Sequence, residues 1–111
     1  MSPTRKPTLL FTAGLTKGSI VPIRVREFAI GERAAEKFWS HGITRRQVEE
    51  MLLNRLVVTV NRKDRAASHL AIGRDNQGRC ITVPILPTGD VGIWRPITAW
   101  PCKPGEAAKL Q

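Results

Sequence analysis

Apolar positions recur along this chain with two different periods, and the change between them falls near Asn54. Upstream of it, Ala34, Ala35, Phe38 and Trp39 cluster on one side of a helical wheel, which predicts a helix over 32–40. Ser40-His41-Gly42 ends that helix, with Gly42 placed for a left-handed cap. A second start follows at once. Thr44 is suited to be an N-cap, and Gln47 three residues on completes a capping box, while Ile43 and Val48 occupy the positions of a hydrophobic staple. Val48, Met51, Leu52 and Arg55 continue at helical spacing. Ahead of both helices, Ile23, Val25 and Phe28 read as a short strand or extended lead-in.

Downstream the period becomes that of a strand. Leu56 to Asn61, Ser68 to Arg74, Arg79 to Leu86 and Ile93 to Trp100 are rich in β-formers. Asp75-Asn76-Gln77-Gly78 supplies a hairpin turn, and Pro87-Thr88-Gly89-Asp90 a looser one. Short connections between consecutive strands imply an antiparallel meander. Pro104 to Leu110 has the makings of a last short helix, since proline is tolerated in a first turn. The expected fold is α+β: two helices packed on a four-stranded antiparallel sheet, with a short C-terminal helix as an addition. Residues 1–22 are expected to form a flexible basic arm and residues 23–111 a single domain.

Alternation then sorts the faces of the sheet. Leu56, Val58 and Val60, with Leu70 and Ile72, and Ile81, Val83 and Ile85, make an apolar face for the helices to cover. Thr59, Asn61, His69, Thr82, Trp94, Thr98 and Trp100 are expected on the other. Rings and hydroxyls bordered by cations suit single-stranded nucleic acid, with cations on phosphates and indoles under bases. The alternative is that Trp94 and Trp100 are packing residues only. Pro96 interrupts the alternation, so a one-residue slip would exchange the facing of everything after it. Plain alternation puts Arg95 beside Ile93 and Ile97, where a buried unpaired guanidinium is costly, so it must rotate outward or meet an anion.

Charge sharpens the picture. The chain has 111 residues, 18 Lys and Arg against 9 Asp and Glu, a net charge of +9 and 41 % apolar residues. Such a composition supports one core and excludes a wholly disordered tail. Its longest apolar runs are far shorter than the roughly 20 residues of a bilayer span, and Leu9 to Leu15 lacks the features of a secretory signal. No membrane association is expected. The surplus is uneven: residues 1–26 hold five basic groups and no acid, residues 27–60 hold five of each, and residues 61–111 hold eight basic and four acidic groups. A polyanionic partner is implied, facing the sheet half and the N-terminal arm. Arg62, Lys63 and Arg65 form a basic loop suited to phosphate contact or to plain solvation. Cys80 and Cys102 lack the paired spacing of a zinc site and read as two reduced thiols of a cytoplasmic protein, with no metal or other cofactor expected.

Three segments in order resemble the BrnT-type ribonuclease toxins of the RelE-like superfamily. Lys37-Phe-Trp-Ser-His41-Gly42 followed by Ile43-Thr44 is similar to that family's K-x-x-x-H-G-[IV]-[ST] opening. Ile72-Gly73-Arg74 with Gly78-Arg79 is similar to its IGR-x-x-x-GR hairpin. Trp94-Arg95-Pro96-Ile97-Thr98-Ala99 with Glu106 downstream resembles its closing strand and helix. The likeness spans about residues 24–111. It implies a RelE-like fold, a metal-independent endoribonuclease acting on RNA, and a cognate antitoxin as protein partner.

Metal-free RNA cleavage needs proton transfer at the 2′-hydroxyl and the leaving oxygen, and charge stabilisation at phosphorus. Arg74, Arg79 and Arg95 match the family's basic positions, and a guanidinium fork suits two phosphate oxygens. His69 is the local choice for proton transfer, because histidine titrates near neutrality. Arg62, Lys63, Arg65, Trp94, Trp100 and Lys103 would bind the strand. Where the family's strand ends Ala-Arg, this chain reads Ala99-Trp100-Pro101-Cys102-Lys103. That missing arginine favours the alternative function, a non-catalytic RelE-like domain that binds nucleic acid or an acidic protein.

Overall fold

The computed structural model describes residues 16–111. Both expected helices form, and for the expected reasons. Helix α1 runs Glu32–Ser40 and stops in a Schellman-type turn: Gly42 takes φ +77°, and the Ile43 and Gly42 amides donate back to the carbonyls of Phe38 and Trp39. Helix α2, Arg45–Glu50, opens on a complete capping box. The Thr44 hydroxyl accepts from the Gln47 amide at 3.1 Å, and the Thr44 amide donates to Gln47 Oε1 at 2.8 Å. Ile43 and Val48 are both buried, as a staple requires. A 3₁₀ turn over Met51–Leu53 leads out of α2.

The sheet is larger than four strands and is mixed. Its members are β1 (Ile20–Val21), β2 (Glu27–Phe28), β3 (Leu56–Val60), β4 (His69–Arg74), β5 (Cys80–Pro87), β6 (Ile93–Pro96) and β7 (Trp100–Pro101). They lie in the order β1-β3-β4-β5-β6-β2, with β7 also paired to β5. The central β3-β4-β5 meander is antiparallel as expected. Two short strands close its edges: β1 pairs antiparallel with β3, and β2 pairs parallel with β6. Ile20–Val21 therefore belongs to the sheet, although an arm was expected as far as residue 22; residues 1–15 of that arm lie outside the described residues. Two-residue strands carry no periodicity of their own. Their pairing depends on an edge that exists only once the sheet has formed.

The expected strand over Ile93 to Trp100 divides in two, and the division reverses a face. Opposite β5, Ile85 pairs with Pro96 but Thr82 pairs with Trp100, so four residues on one side face three on the other. One residue is therefore extra, a β-bulge between Pro96 and Trp100. Before it, Trp94 lies opposite Pro87; after it, Trp100 lies opposite Thr82. Successive β5 positions alternate faces, so the two indoles, expected together, stand on opposite sides.

A similar one-step error affects β4. Ala71, not Leu70 or Ile72, joins Val58, Ile81, Val83 and Ile85 in the core beneath Phe38, Val48 and Met51. Leu70 and Ile72 point to the other face, and His69 shares the helix-side face with Ala71. The β4 run is apolar on both sides, which leaves alternation nothing to read. On α1 the same surplus places Phe38 at 0 % exposure and leaves Trp39 at 70 %.

Cys80 and Cys102 are joined by a disulfide, not free, with Cα atoms 5.3 Å apart. The pairing of β5 with β7 brings them together, and the Cys102 amide donates to the Cys80 carbonyl at 3.0 Å. Their separation of 22 residues gives no local motif to read. Disulfides persist mainly in oxidising compartments, so the reduced-thiol argument for a cytoplasmic location falls away. Among the described residues, no helix is long and apolar enough to cross a membrane.

Candidate nucleic-acid interface

Helix α3 (Pro104–Ala107) and a closing 3₁₀ turn (Ala108–Leu110) lie on the sheet face opposite α1 and α2. Three kinds of contact hold this segment. The disulfide fixes its start, the Arg55 guanidinium donates to the Leu110 carbonyl at 2.8 Å, and Lys109 Nζ donates to the Gly18 carbonyl at 2.8 Å. Between the segment and the β3–β4 loop lies an open groove of about 910 Å³.

The groove's floor is strand surface: Thr59, Leu70, Ile72, Pro84, Ile97 and Trp100. Its rim is cationic. Arg62 and Arg65 stand on the loop side, Lys103 and Lys109 on the C-terminal side, and Lys17 also lines the groove. Arg62 Nε is 3.4 Å from Asp64, an exposed pair that leaves its charge largely available to other anions. Lys103 Nζ lies 5.5 Å from the centre of the Trp100 ring, on its face. Within the cationic rim sits a single carboxylate. Glu106 Oε1 accepts from the Thr82 hydroxyl at 2.9 Å, from Trp100 Nε1 at 3.1 Å and from the Lys103 amide at 2.8 Å. Thr82 is fully buried, so this anchorage is firm.

Of the residues expected to bind nucleic acid, Arg62, Arg65, Trp100 and Lys103 meet around this groove. Lys63 is exposed in the same loop but does not line it. Trp94 lies on the helix side, where its ring meets that of His69 edge-on at 5.3 Å between centroids.

The four expected catalytic groups do not converge. His69 and Arg74 occupy opposite ends of β4, five residue steps or about 16 Å apart. Arg74 donates to the Gly78 carbonyl at 2.9 Å and Arg79 to Gln77 Oε1 at 3.3 Å, so both serve the hairpin between β4 and β5. Arg95 is exposed opposite Leu86 on β6, outside the groove lining. It has turned outward, as its charge demands. His69 Nδ1 lies 2.8 Å from the exposed Ser68 hydroxyl, and burial lowers its pKa from the usual 6.5, so the ring favours the neutral form.

The hairpin itself is organised by Asp75, a turn residue that is only 3 % exposed. Its carboxylate accepts from the Gln77 and Arg79 amides, each at 2.9 Å, and from the Gln47 side chain at 3.0 Å. Burial pushes its pKa up, but the bonds from Gln47 and the two amides, with the Arg79 charge, outweigh that and hold it below the ordinary carboxylate value. Gln47 thus serves the capping box of α2 and the hairpin at once. Gly78 completes the turn with φ +87°.

Sequence reasoning put Thr82 on this face but passed over the placement of Glu106, Lys17 and Lys109. For Glu106 a signal was present: with Pro104 opening a helix, it occupies the third helical position, where an acidic side chain returns to the N-cap amide. The lysines carried none, because isolated surface cations look alike in a sequence. Comparison with known protein families, curated proteins and solved structures finds no match for this chain.

Proposed function

We propose that the groove on the open sheet face binds single-stranded RNA without cutting it. The observation that supports this most directly is the convergence of Lys17, Arg62, Arg65, Lys103, Lys109 and Trp100 around one groove. Five cations follow a phosphate backbone, and a half-buried indole offers a stacking surface that any base can use. An apolar floor bordered by charge admits a strand with splayed bases and offers little to a rigid duplex. The ribonuclease-toxin reading has less support, since His69, Arg74, Arg79 and Arg95 lie apart. A cognate antitoxin rests on the resemblance alone.

The test is an anisotropy titration with a labelled single-stranded RNA at several salt concentrations, together with a cleavage assay in EDTA. Expected is a dissociation constant on the order of 1–100 μM at physiological salt, weakening with a log–log slope of about −3.5 for five phosphate contacts. The RNA is expected to remain intact. A salt-independent affinity, or none at low salt, would overturn the proposal. Cleavage that His69→Ala or Arg95→Ala abolishes would restore the catalytic reading.

A further inference from the structure

Glu106 is out of place in a groove built for anions. A carboxylate there repels phosphate, and among the described residues no salt bridge neutralises it. Its anchorage is also lopsided. Oε1 takes the short bonds from Thr82, Trp100 and the Lys103 amide, whereas Oε2 has only a long 3.4 Å share of the Trp100 N–H. A carboxyl oxygen has two lone pairs, so Oε1 is saturated and Oε2 keeps its accepting capacity. The cap of α3 requires only one oxygen; the second lies beside the Trp100 N–H, and Glu106 and Trp100 both line the groove.

We infer that Glu106 is a base-reading residue, which selects guanine at the position that stacks on Trp100. The inference rests on the RNA-binding reading above and adds a specificity to it. Guanine sets two donors side by side, N1–H and N2–H₂, toward which an acceptor-only oxygen can be directed. Uracil flanks its single N3–H with two carbonyls, which a carboxylate repels. Exposed bases of a single strand are read on these edges, and acidic side chains read base amino groups elsewhere in nucleic-acid recognition. Because the carboxylate is tied to the indole on which the base would lie, stacking and reading share one frame. The cations around it supply affinity that is blind to sequence, and Glu106 supplies the discrimination.

The experiment compares an all-uridine RNA with the same strand carrying alternating guanosines, titrated against the full chain and against Glu106→Gln. The amide keeps an oxygen for Thr82, Trp100 and the Lys103 N–H but replaces the free acceptor by a donor. The unsubstituted protein is expected to favour the guanosine strand about tenfold, the scale of one charge-assisted hydrogen bond. In Glu106→Gln the ratio falls to within about twofold, while affinity for the all-uridine strand holds or rises as a negative charge leaves the groove. Thermal melting of both proteins checks that the segment stays docked. An unchanged ratio in Glu106→Gln, or no guanosine preference in the unsubstituted protein, overturns the inference and leaves the groove standing. Absence of binding to either strand removes the groove and the inference together.

Discussion

The two faces of this sheet are made from the same strands and do opposite things. On the helix side, Val58, Ala71, Val83 and Ile85 meet Phe38, Val48 and Met51, all at or below 1 % exposure. The open side mixes Leu70, Ile72 and Pro84 with Thr59, Thr82 and Trp100, and its cover is a short C-terminal segment tied down by a disulfide and individual polar bonds. One face is held by area removed from water, which needs no particular geometry. The other also buries Ile72, Pro84 and Leu110, but adds directed contacts to its cover and leaves a groove with charges at the rim. Stability should therefore reside mainly in the first face and recognition in the second.

Substitutions can break that division, and the largest effect is expected in the core. Phe38→Ala should lower unfolding free energy by about 3–5 kcal/mol in a denaturant titration, while RNA affinity measured under conditions where the variant is folded stays within about twofold. A comparable loss of affinity would show that the faces are coupled. Removing the bridge with Cys80→Ala and Cys102→Ala together should cost about 2–4 kcal/mol of stability. Because the bridge anchors the groove's C-terminal wall, this variant alone should lose both stability and RNA affinity. Reversing the rim charges with Arg62→Glu, Arg65→Glu and Lys103→Glu should weaken RNA binding about a hundredfold and flatten the salt slope by about 2, with the melting temperature little changed.

The tryptophans give a finer comparison. Trp100→Ala should weaken RNA binding by about 1–3 kcal/mol, the worth of one stacked base. Trp94→Ala should leave binding intact and lower stability, since Trp94 packs against the core and His69. Equal effects on binding would place both indoles on one surface and contradict the bulge. The smallest effect is that of pH. His69 has a lowered folded pKa, so the unfolded chain takes up the proton first. Its contribution is complete above the ordinary value of 6.5 and is lost as pH falls below it. Asp75 is depressed too, so its contribution holds above 3.8 and disappears on further acidification. Denaturant midpoints should therefore fall in two stages on lowering pH, and Asp75→Asn should erase the second.

Legibility followed the range of the signal. The helices were readable almost to the residue, because Gly42, Thr44 and Gln47 act on neighbours within a single turn. The β4–β5 hairpin was readable for the same reason, through Asp75 and Gly78. Half of the groove was legible in Arg62 and Arg65, which cluster in one basic loop, and in Trp100 and Lys103, an indole with a cation three residues on. His69, Arg74, Arg79 and Arg95 were grouped by order along the sequence, and order does not report distance across a sheet.

What the chain alone determined is thus local and compositional: an α+β domain, two capped helices, a central antiparallel meander, and a surplus of cations concentrated outside the helical third. Backbone hydrogen bonds and side-chain periods act over a few residues, so a single sequence displays them. The tertiary structure decided the edge strands, the Cys80–Cys102 bridge, the facing of Trp94 against Trp100, and the gathering of Lys17, Lys109 and Glu106 into one groove. Each of these depends on which strand lies beside which and in what register. A single extra residue between Pro96 and Trp100 reverses a face without altering the apolar count, so pairing alone reveals it.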